Sequence, residues 1–183
     1  MGGAREVHAD LLQPPFTLLL VAPKGSGKST TILRLIYGNR KSKRCDNGTT
    51  HYKFYRHFFD KVYVFSPTWE MDEKTQRCRI PPDQVFDEPE EYEEVIGEIL
   101  GAQAEDIEED GKDDADHILM IFSDLAGTKL FSQKKGIMNK LAFNHRHYKV
   151  SLIIDTQSLR QITPAFRGNL SGIMLFGGIN NRR

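Results

Sequence analysis

Hydrophobic residues occur along the chain in short continuous runs, and helix-forming segments separate most of these runs. A short apolar run is typical of a strand that is buried on both faces of a parallel sheet. The runs predict five strands, at 14–22, 61–67, 117–124, 150–157 and 171–178. Apolar residues three and four positions apart predict helices from Lys28 to a stop at Gly38, over 88–100 and over 128–147. The chain is therefore predicted to be an α/β domain that binds ligands at the carboxyl ends of its strands.

The first predicted strand leads directly into a glycine-rich loop. Residues 22–29 read APKGSGKS, which matches the phosphate-loop pattern with Ala22 in place of the first glycine. The glycines let the backbone turn its N–H groups inward, and the following helix presents its positive end to a phosphate. Lys28 is predicted to contact the β- and γ-phosphates of a nucleotide, and Ser29 to bind Mg²⁺. The predicted nucleotide-binding residues are Ala22, Pro23, Lys24, Gly25, Ser26, Gly27, Lys28, Ser29 and Thr30.

An acidic residue is expected at the end of another buried strand, because Mg²⁺ needs a carboxylate nearby and an attacking water needs a group to orient it. The run ILMIFSD supplies Ser123 and Asp124, whereas the usual pattern has two adjacent acids. Asp124 either holds the metal through water, or activates the attacking water while Ser123 takes a weakened metal role. The second assignment is preferred over the first, and over a third in which Asp124 only caps the next segment. Hydrolysis is expected to be slow in either catalytic case.

The fourth predicted strand is followed by a Thr-Gln pair. A neutral amide at this place can hydrogen-bond both the γ-phosphate and the attacking water, and so sense which nucleotide is bound. Gln157 is therefore predicted to be a catalytic residue, together with Lys28 and Asp124.

The formal net charge of zero conceals a segregation of charge along the chain. Of 25 acidic and 25 basic residues, the segment 87–116 holds 15 acids and one lysine, which leaves 24 basic and 10 acidic residues elsewhere, a net of +14. This basic remainder, including the basic and aromatic segment 40–61, suits contact with nucleic-acid phosphates, although an ordinary solvated surface is the alternative. The acidic stretch at about 103–116 is predicted to be a flexible surface loop.

The length of 183 residues and a hydrophobic content of 39% predict one domain over 1–183. The sequence contains no apolar stretch of the roughly 18 residues that a membrane span needs, so a soluble, unexported protein is expected. The two cysteines, Cys45 and Cys78, have no metal-site spacing and suit a reducing compartment.

Several segments, taken in order, resemble the motifs of one protein family. They are VAPKGSGKST, VYVFSPTW, LMIFSDLAG, NHRH followed by VSLIIDTQS, and ITPAFRGNLSGIMLF. These resemble the successive motifs of the virion genome-packaging ATPases of large double-stranded DNA viruses, the poxvirus-type branch of the FtsK/HerA superfamily. The resemblance extends from about residue 14 to 180, and its narrowest parts are the Thr-Gln pair and Pro164, Arg167 and Asn169.

The resemblance implies a three-layer P-loop NTPase fold of the additional-strand catalytic-acid type, with predicted strands in the order 5-1-4-3-2. It also implies a homo-oligomeric ring that hydrolyses ATP with Mg²⁺ and moves double-stranded DNA of any sequence into a capsid. A capsid or portal-like viral protein would be its docking partner, and the virion and the host-cell cytoplasm its location. Arg167 is implied as an arginine finger that reaches a neighbour's γ-phosphate, with Arg146 as second choice.

The sequence departs from the family in two ways. Ser123 replaces the first acid, and the chain ends at residue 183 where family members usually continue into a further C-terminal segment. Two other functions therefore stay open: a nucleotide-dependent, weakly hydrolytic assembly module, and a small P-loop kinase.

Overall fold

A computed structural model describes residues 5–38, 43–44, 50–52, 54–71, 75, 80–125, 128, 130–131, 133 and 135–177. The strands of this part of the chain are β1 (Arg5–Val7), β2 (Thr17–Val21), β3 (Lys43–Arg44), β4 (Thr50–Tyr52), β5 (Lys61–Phe65), β6 (Val85–Phe86), β7 (Ile118–Phe122), β8 (Val150–Thr156) and β9 (Gly172–Leu175). The α-helices are α1 (Lys28–Tyr37), α2 (Tyr92–Asp110), α3 (Ile137–Asn144) and α4 (Pro164–Arg167).

Six strands form one parallel sheet in the order β6-β5-β7-β8-β2-β9. The five predicted strands correspond to β2, β5, β7, β8 and β9, so the predicted order 5-1-4-3-2 is confirmed. The two-residue strand β6 was not predicted, and it extends the sheet beyond β5. A separate small sheet has the order β1-β4-β3. In the basic and aromatic segment 40–61, residues 40–42, 45–49 and 53 lie outside the described residues.

The large sheet has a hydrophobic core on each face. Successive side chains of a strand point to opposite faces, so Leu18 and Leu20 pack with α1 on one face, while Leu19 packs with α2, α3 and α4 on the other. All five residues of β2 and all five of β7 are buried. Burial on both faces explains why these strands read as continuous apolar runs, and it confirms the three-layer α/β architecture.

Helix α2 is longer than predicted and corrects the interpretation of the acidic stretch. It continues to Asp110, so most of the predicted loop at 103–116 is helical, and Gly111 ends the helix at a positive φ of 89°. Ile96, Leu100 and Gln103 lie on one helical stripe that faces the sheet, while most of the acids lie on the exposed side. The prediction considered only the density of charge. Packing of the buried stripe against the sheet stabilises the helix in spite of that charge.

Helix α3 is shorter than predicted. The prediction covered 128–147, but the helix begins only after Gly136, whose extended backbone (φ −69°, ψ 165°) interrupts the helical path. The described residues before it are not helical, although Leu130 and Phe131 are buried. In the part of the chain that the structure describes, no helix is both long enough and apolar enough to cross a membrane.

An aromatic column lies beneath the carboxyl end of β7. The Phe122 ring stacks on Phe65 with centroids 4.9 Å apart and meets Phe131 edge-on at 5.5 Å, and Phe131 meets Phe166 at 5.5 Å. All four side chains are buried. Stacked and edge-on aromatic pairs add to the stabilisation that burial of their area provides.

Replacement of Phe122 by alanine is expected to lower the free energy of unfolding by about 3–5 kcal/mol, because it leaves a cavity that the rigid sheet cannot close. Urea denaturation measures this loss. Phe143→Ala is the matched control, since Phe143 is 58% exposed on α3; its effect should stay within about 0.5 kcal/mol. Equal losses in the two variants would contradict the packing described here.

Candidate nucleotide-binding site

A cleft of about 620 Å³ lies at the carboxyl ends of the central strands, where an open parallel sheet binds its ligands. The residues that line it follow β2, β5 and β7 or lie at the end of β8. They are Lys24, Gly25, Ser26, Gly27, Lys28, Ser29, Thr30, Thr68, Met71, Ser123, Asp124, Asp155 and Gln157. Catalytic candidates from three separate parts of the sequence therefore meet in one place.

The glycine-rich loop has the backbone that a phosphate cradle requires. Gly25 and Gly27 have φ values of 77° and 94°, a region that residues with a Cβ rarely adopt. Helix α1 begins at Lys28, so its amino-terminal turn opens at the cleft. Unpaired N–H groups and the helix dipole at such a turn attract phosphate oxygens.

Main-chain carbonyl groups of the loop hold the Lys28 side chain close to it. The Lys28 Nζ donates hydrogen bonds to the carbonyl oxygens of Ala22 (2.9 Å) and Pro23 (3.4 Å). Seven of the nine predicted nucleotide-binding residues, Lys24 to Thr30, line the cleft. Ala22 is buried and Pro23 is exposed, and both contribute these carbonyl groups rather than cleft surface.

Asp124 lies at the rim of the cleft in an uncommon backbone conformation. Its φ of 54° is in the left-handed region, where Asp is more frequent than most residues. The Thr68 hydroxyl donates a hydrogen bond of 3.1 Å to the Asp124 Oδ2. Sequence reasoning missed Thr68, although a polar residue just after a buried parallel strand was a signal that could have identified it. Thr68 thereby orients the Asp124 carboxylate, which is the acting group in both catalytic assignments.

Asp155 is the second carboxylate of the cleft, and sequence reasoning also missed it. It is only 7% exposed. The Ser123 hydroxyl donates to the Asp155 Oδ2 at 2.5 Å, and the Asp124 N–H donates to the Oδ1 at 3.4 Å. Burial raises the pKa of the Asp155 carboxyl, while the Ser123 hydrogen bond and the positive charge of Lys28 act in the opposite direction.

Gln157 and Arg167 lie in different positions relative to the cleft. Gln157 follows β8 directly, is exposed and lines the cleft, where the sensor role would require it. Arg167 ends α4, is exposed, and donates a hydrogen bond of 3.4 Å to the Leu159 carbonyl. It is not among the lining residues of its own chain's cleft. A role for Arg167 at a neighbouring subunit stays a prediction.

The oxygen atoms of the cleft suit Mg²⁺. Ser29 offers a hydroxyl, and Asp124 and Asp155 offer carboxylates, which are hard ligands of the kind that Mg²⁺ prefers. Within the described residues, no group of three or more His, Cys, Asp or Glu side chains is arranged to hold a metal by itself. Mg²⁺ that binds with a nucleotide needs no such group, because phosphates and water complete its octahedron. The proposed metal role of Ser123 stays a prediction, and its hydroxyl hydrogen is directed at Asp155.

No protein-family model matches the sequence, and no curated protein matches it at a significant level. Among solved structures, the chain is similar to the N-terminal domain of zonular occludens toxin from Neisseria meningitidis, with 11% identity and a TM-score of 0.45 over 86% of this chain and 74% of that one. It is also similar to the cytoplasmic domain of EssC, with 12% identity and a TM-score of 0.47 over 88% of this chain and 32% of that one. The P-loop nucleotide-binding fold follows from this chain's own strand order and loop.

Replacement of Lys28 by alanine is expected to weaken nucleotide binding by roughly 100-fold, because it removes charged hydrogen bonds to phosphate oxygens. Calorimetric titration with a non-hydrolysable ATP analogue measures the change. Lys112→Ala is the control, since it removes the same charge from an exposed position that does not line the cleft. The site is wrongly assigned if the two variants bind equally well.

Proposed function

We propose that this chain is the ATP-hydrolysing motor domain of a machine that packages viral double-stranded DNA into a capsid during virion assembly. The observation that carries the ATPase part is the convergence of the phosphate loop, Asp124 and Gln157 on one cleft. The packaging part is supported by the order of the sequence motifs, from the phosphate loop to Arg167.

Each residue has a definite task in the proposed hydrolysis. Lys28 would leave the loop carbonyls to contact the β- and γ-phosphates, and Ser29 with a cleft carboxylate would hold Mg²⁺. Bound Mg²⁺ supplies neutralisation of the charge on the phosphate oxygens. Asp124, oriented by Thr68, would accept a proton from the attacking water. Gln157 would hydrogen-bond that water and the γ-phosphate.

Arg167 is proposed to act in trans within a homo-oligomeric ring. Its exposure leaves the guanidinium able to reach a neighbouring subunit, and its present acceptor is a single carbonyl at 3.4 Å. A guanidinium that reaches a neighbour's γ-phosphate would stabilise the charge of the transition state. Such a contact would make each cleft incomplete until the ring assembles.

Contact with DNA is proposed to be electrostatic and independent of sequence. The segment 87–116, which contains helix α2, carries 15 of the chain's 25 acids, while the other residues carry the net positive charge. Lysine and arginine side chains bind phosphates without reading bases. A capsid or portal-like protein as docking partner, and a location in the virion and host-cell cytoplasm, belong to the same proposal.

Double-stranded DNA of unrelated sequences is expected to stimulate ATP hydrolysis by the purified protein, and the stimulation should decline as salt rises because counterion release drives the binding. Phosphate release, measured with and without linear duplex DNA and beside the oligomer mass, checks this. Turnover that DNA does not change at low salt would contradict a motor function.

A second candidate is a nucleotide-dependent assembly module that binds ATP and hydrolyses it weakly. Ser123 in the usual position of an acid is the observation that favours it. In that case ATP would promote oligomer formation, which mass photometry detects, without turnover that responds to DNA.

Replacement of Arg167 by alanine is expected to leave nucleotide affinity unchanged and to lower the turnover of the assembled oligomer by about 10³-fold, the usual value of an arginine finger. Arg160→Ala is the control, because Arg160 is exposed in the short helical turn just before α4. Mixing Arg167→Ala subunits with Lys28→Ala subunits should restore part of the turnover, since the second variant supplies the arginine that the first lacks. Loss of nucleotide binding by isolated Arg167→Ala subunits would make Arg167 a structural residue.

A further inference from the structure

Position 123 holds a serine where this kind of site usually has an acid, yet a carboxylate lies within hydrogen-bond distance of that serine. The Ser123 Oγ is 2.5 Å from the Asp155 Oδ2; Ser123 directly follows β7, and Asp155 lies in the adjacent strand β8. A carboxylate on β8 therefore lies close to the position after β7 where the usual acid is absent.

Asp155 lies between the strand that leads into the phosphate loop and the strand that precedes Ser123 and Asp124. Strand β8 pairs with β2 on one side and β7 on the other, and Asp155 is opposite Leu20, the penultimate residue of the strand that leads into the phosphate loop. Lys28 is close enough to act on the carboxylate electrostatically. What remains exposed of Asp155 contributes to the wall of the cleft, which Ser29 also lines.

The hydrogen bonds of Asp155 do not by themselves explain why an acid stands at this position. The two bonds that Asp155 accepts, from Ser123 and the Asp124 N–H, need acceptors but not an ionised group. A buried carboxylate costs stability unless its charge is compensated. Each carboxylate oxygen has two lone-pair sites, so one site on each oxygen is left for a further donor or a metal-bound water. A cation in the cleft would supply the compensation.

We propose that Asp155 supplies the metal-side carboxylate that Ser123 lacks, so that the acid pair of this site is divided between β8 and β7. Asp155 holds the Mg²⁺ of a bound nucleotide through a water of its hydration shell, together with the Ser29 hydroxyl, and Asp124 remains free to act on the attacking water. This inference rests on the proposed nucleotide-binding function.

The test is the Mg²⁺ dependence of nucleotide binding, which needs no turnover. The affinity for a non-hydrolysable ATP analogue is measured by calorimetry, once with excess Mg²⁺ and once with EDTA. Asp155→Asn keeps the shape of the side chain and removes its charge. It is expected to weaken binding with Mg²⁺ by about 10–100-fold, the usual effect of a lost outer-sphere ligand partner, and to leave binding in EDTA unchanged.

Ser123→Ala is the matched control, because it removes the same hydrogen bond and leaves the Asp155 charge in place. It should weaken binding with Mg²⁺ less than Asp155→Asn does, because the charge that faces the Mg²⁺ stays in place. If Asp155 only accepted the serine hydrogen bond, the two variants would show equal losses, and that result would overturn the proposal.

An exchange of the two side chains provides a second test that does not depend on the folding of Asp155→Asn. Asp155→Ser alone removes the acid from β8 and should weaken binding with Mg²⁺, as Asp155→Asn does. The double variant S123D/D155S returns the acid to β7 and should recover most of the Mg²⁺-dependent affinity. A double variant no better than D155S alone would contradict a shared metal role.

The two proposals fail in different ways. If the unchanged protein binds no nucleotide in either condition, the proposed function itself is wrong. If it binds more tightly with Mg²⁺ than in EDTA, and Asp155→Asn retains that difference in full, only the assignment of Asp155 is wrong.

Discussion

The position of β8 between β2 and β7 is the constraint on which the cleft depends. All seven residues of β8 are buried, and hydrogen-bond ladders hold both of its edges. One more bond, from the Ala22 N–H to the Thr156 carbonyl at 3.1 Å, extends the pairing into the first residue of the phosphate loop. The loop is therefore fixed to the strand that carries Asp155 and precedes Gln157, and displacement of either would break buried backbone bonds.

The residues beneath the site are closely packed as well. Phe122, the last residue of β7, stacks within the buried aromatic column and directly precedes Ser123. Close packing beneath the strand ends leaves little freedom for the carboxylates above, which reduces the reorganisation that a charged site must make when it reacts. Thr68, which follows β5, orients Asp124 from the opposite side. Four strand ends thus each position a polar group of one cleft.

The strand order and the phosphate loop could be predicted because their signals are local: continuous apolar runs, and a loop of fixed spacing that opens a helix. Asp155 could not be found in this way. In the sequence it is the sixth residue of an apolar strand, 32 positions from the serine that it contacts, and only strand adjacency brings the two together. The acidic end of α2 was missed for a related reason, since its stability comes from packing of the stripe around Gln103 against the rest of the fold.

A sequence motif on one strand identifies a position in space only indirectly, because a side chain from a neighbouring strand can reach the same position. Neighbouring strands of a sheet lie about 4.8 Å apart, a distance that an aspartate side chain covers for the most part. The contact between the Ser123 hydroxyl and the Asp155 carboxylate means that side chains from β7 and β8 reach a common point. A Mg²⁺ ion responds to where an oxygen atom lies and to its charge, so an acid on β8 can satisfy a requirement that the pattern assigns to β7. The serine at position 123 is therefore not sufficient ground to infer an inactive site.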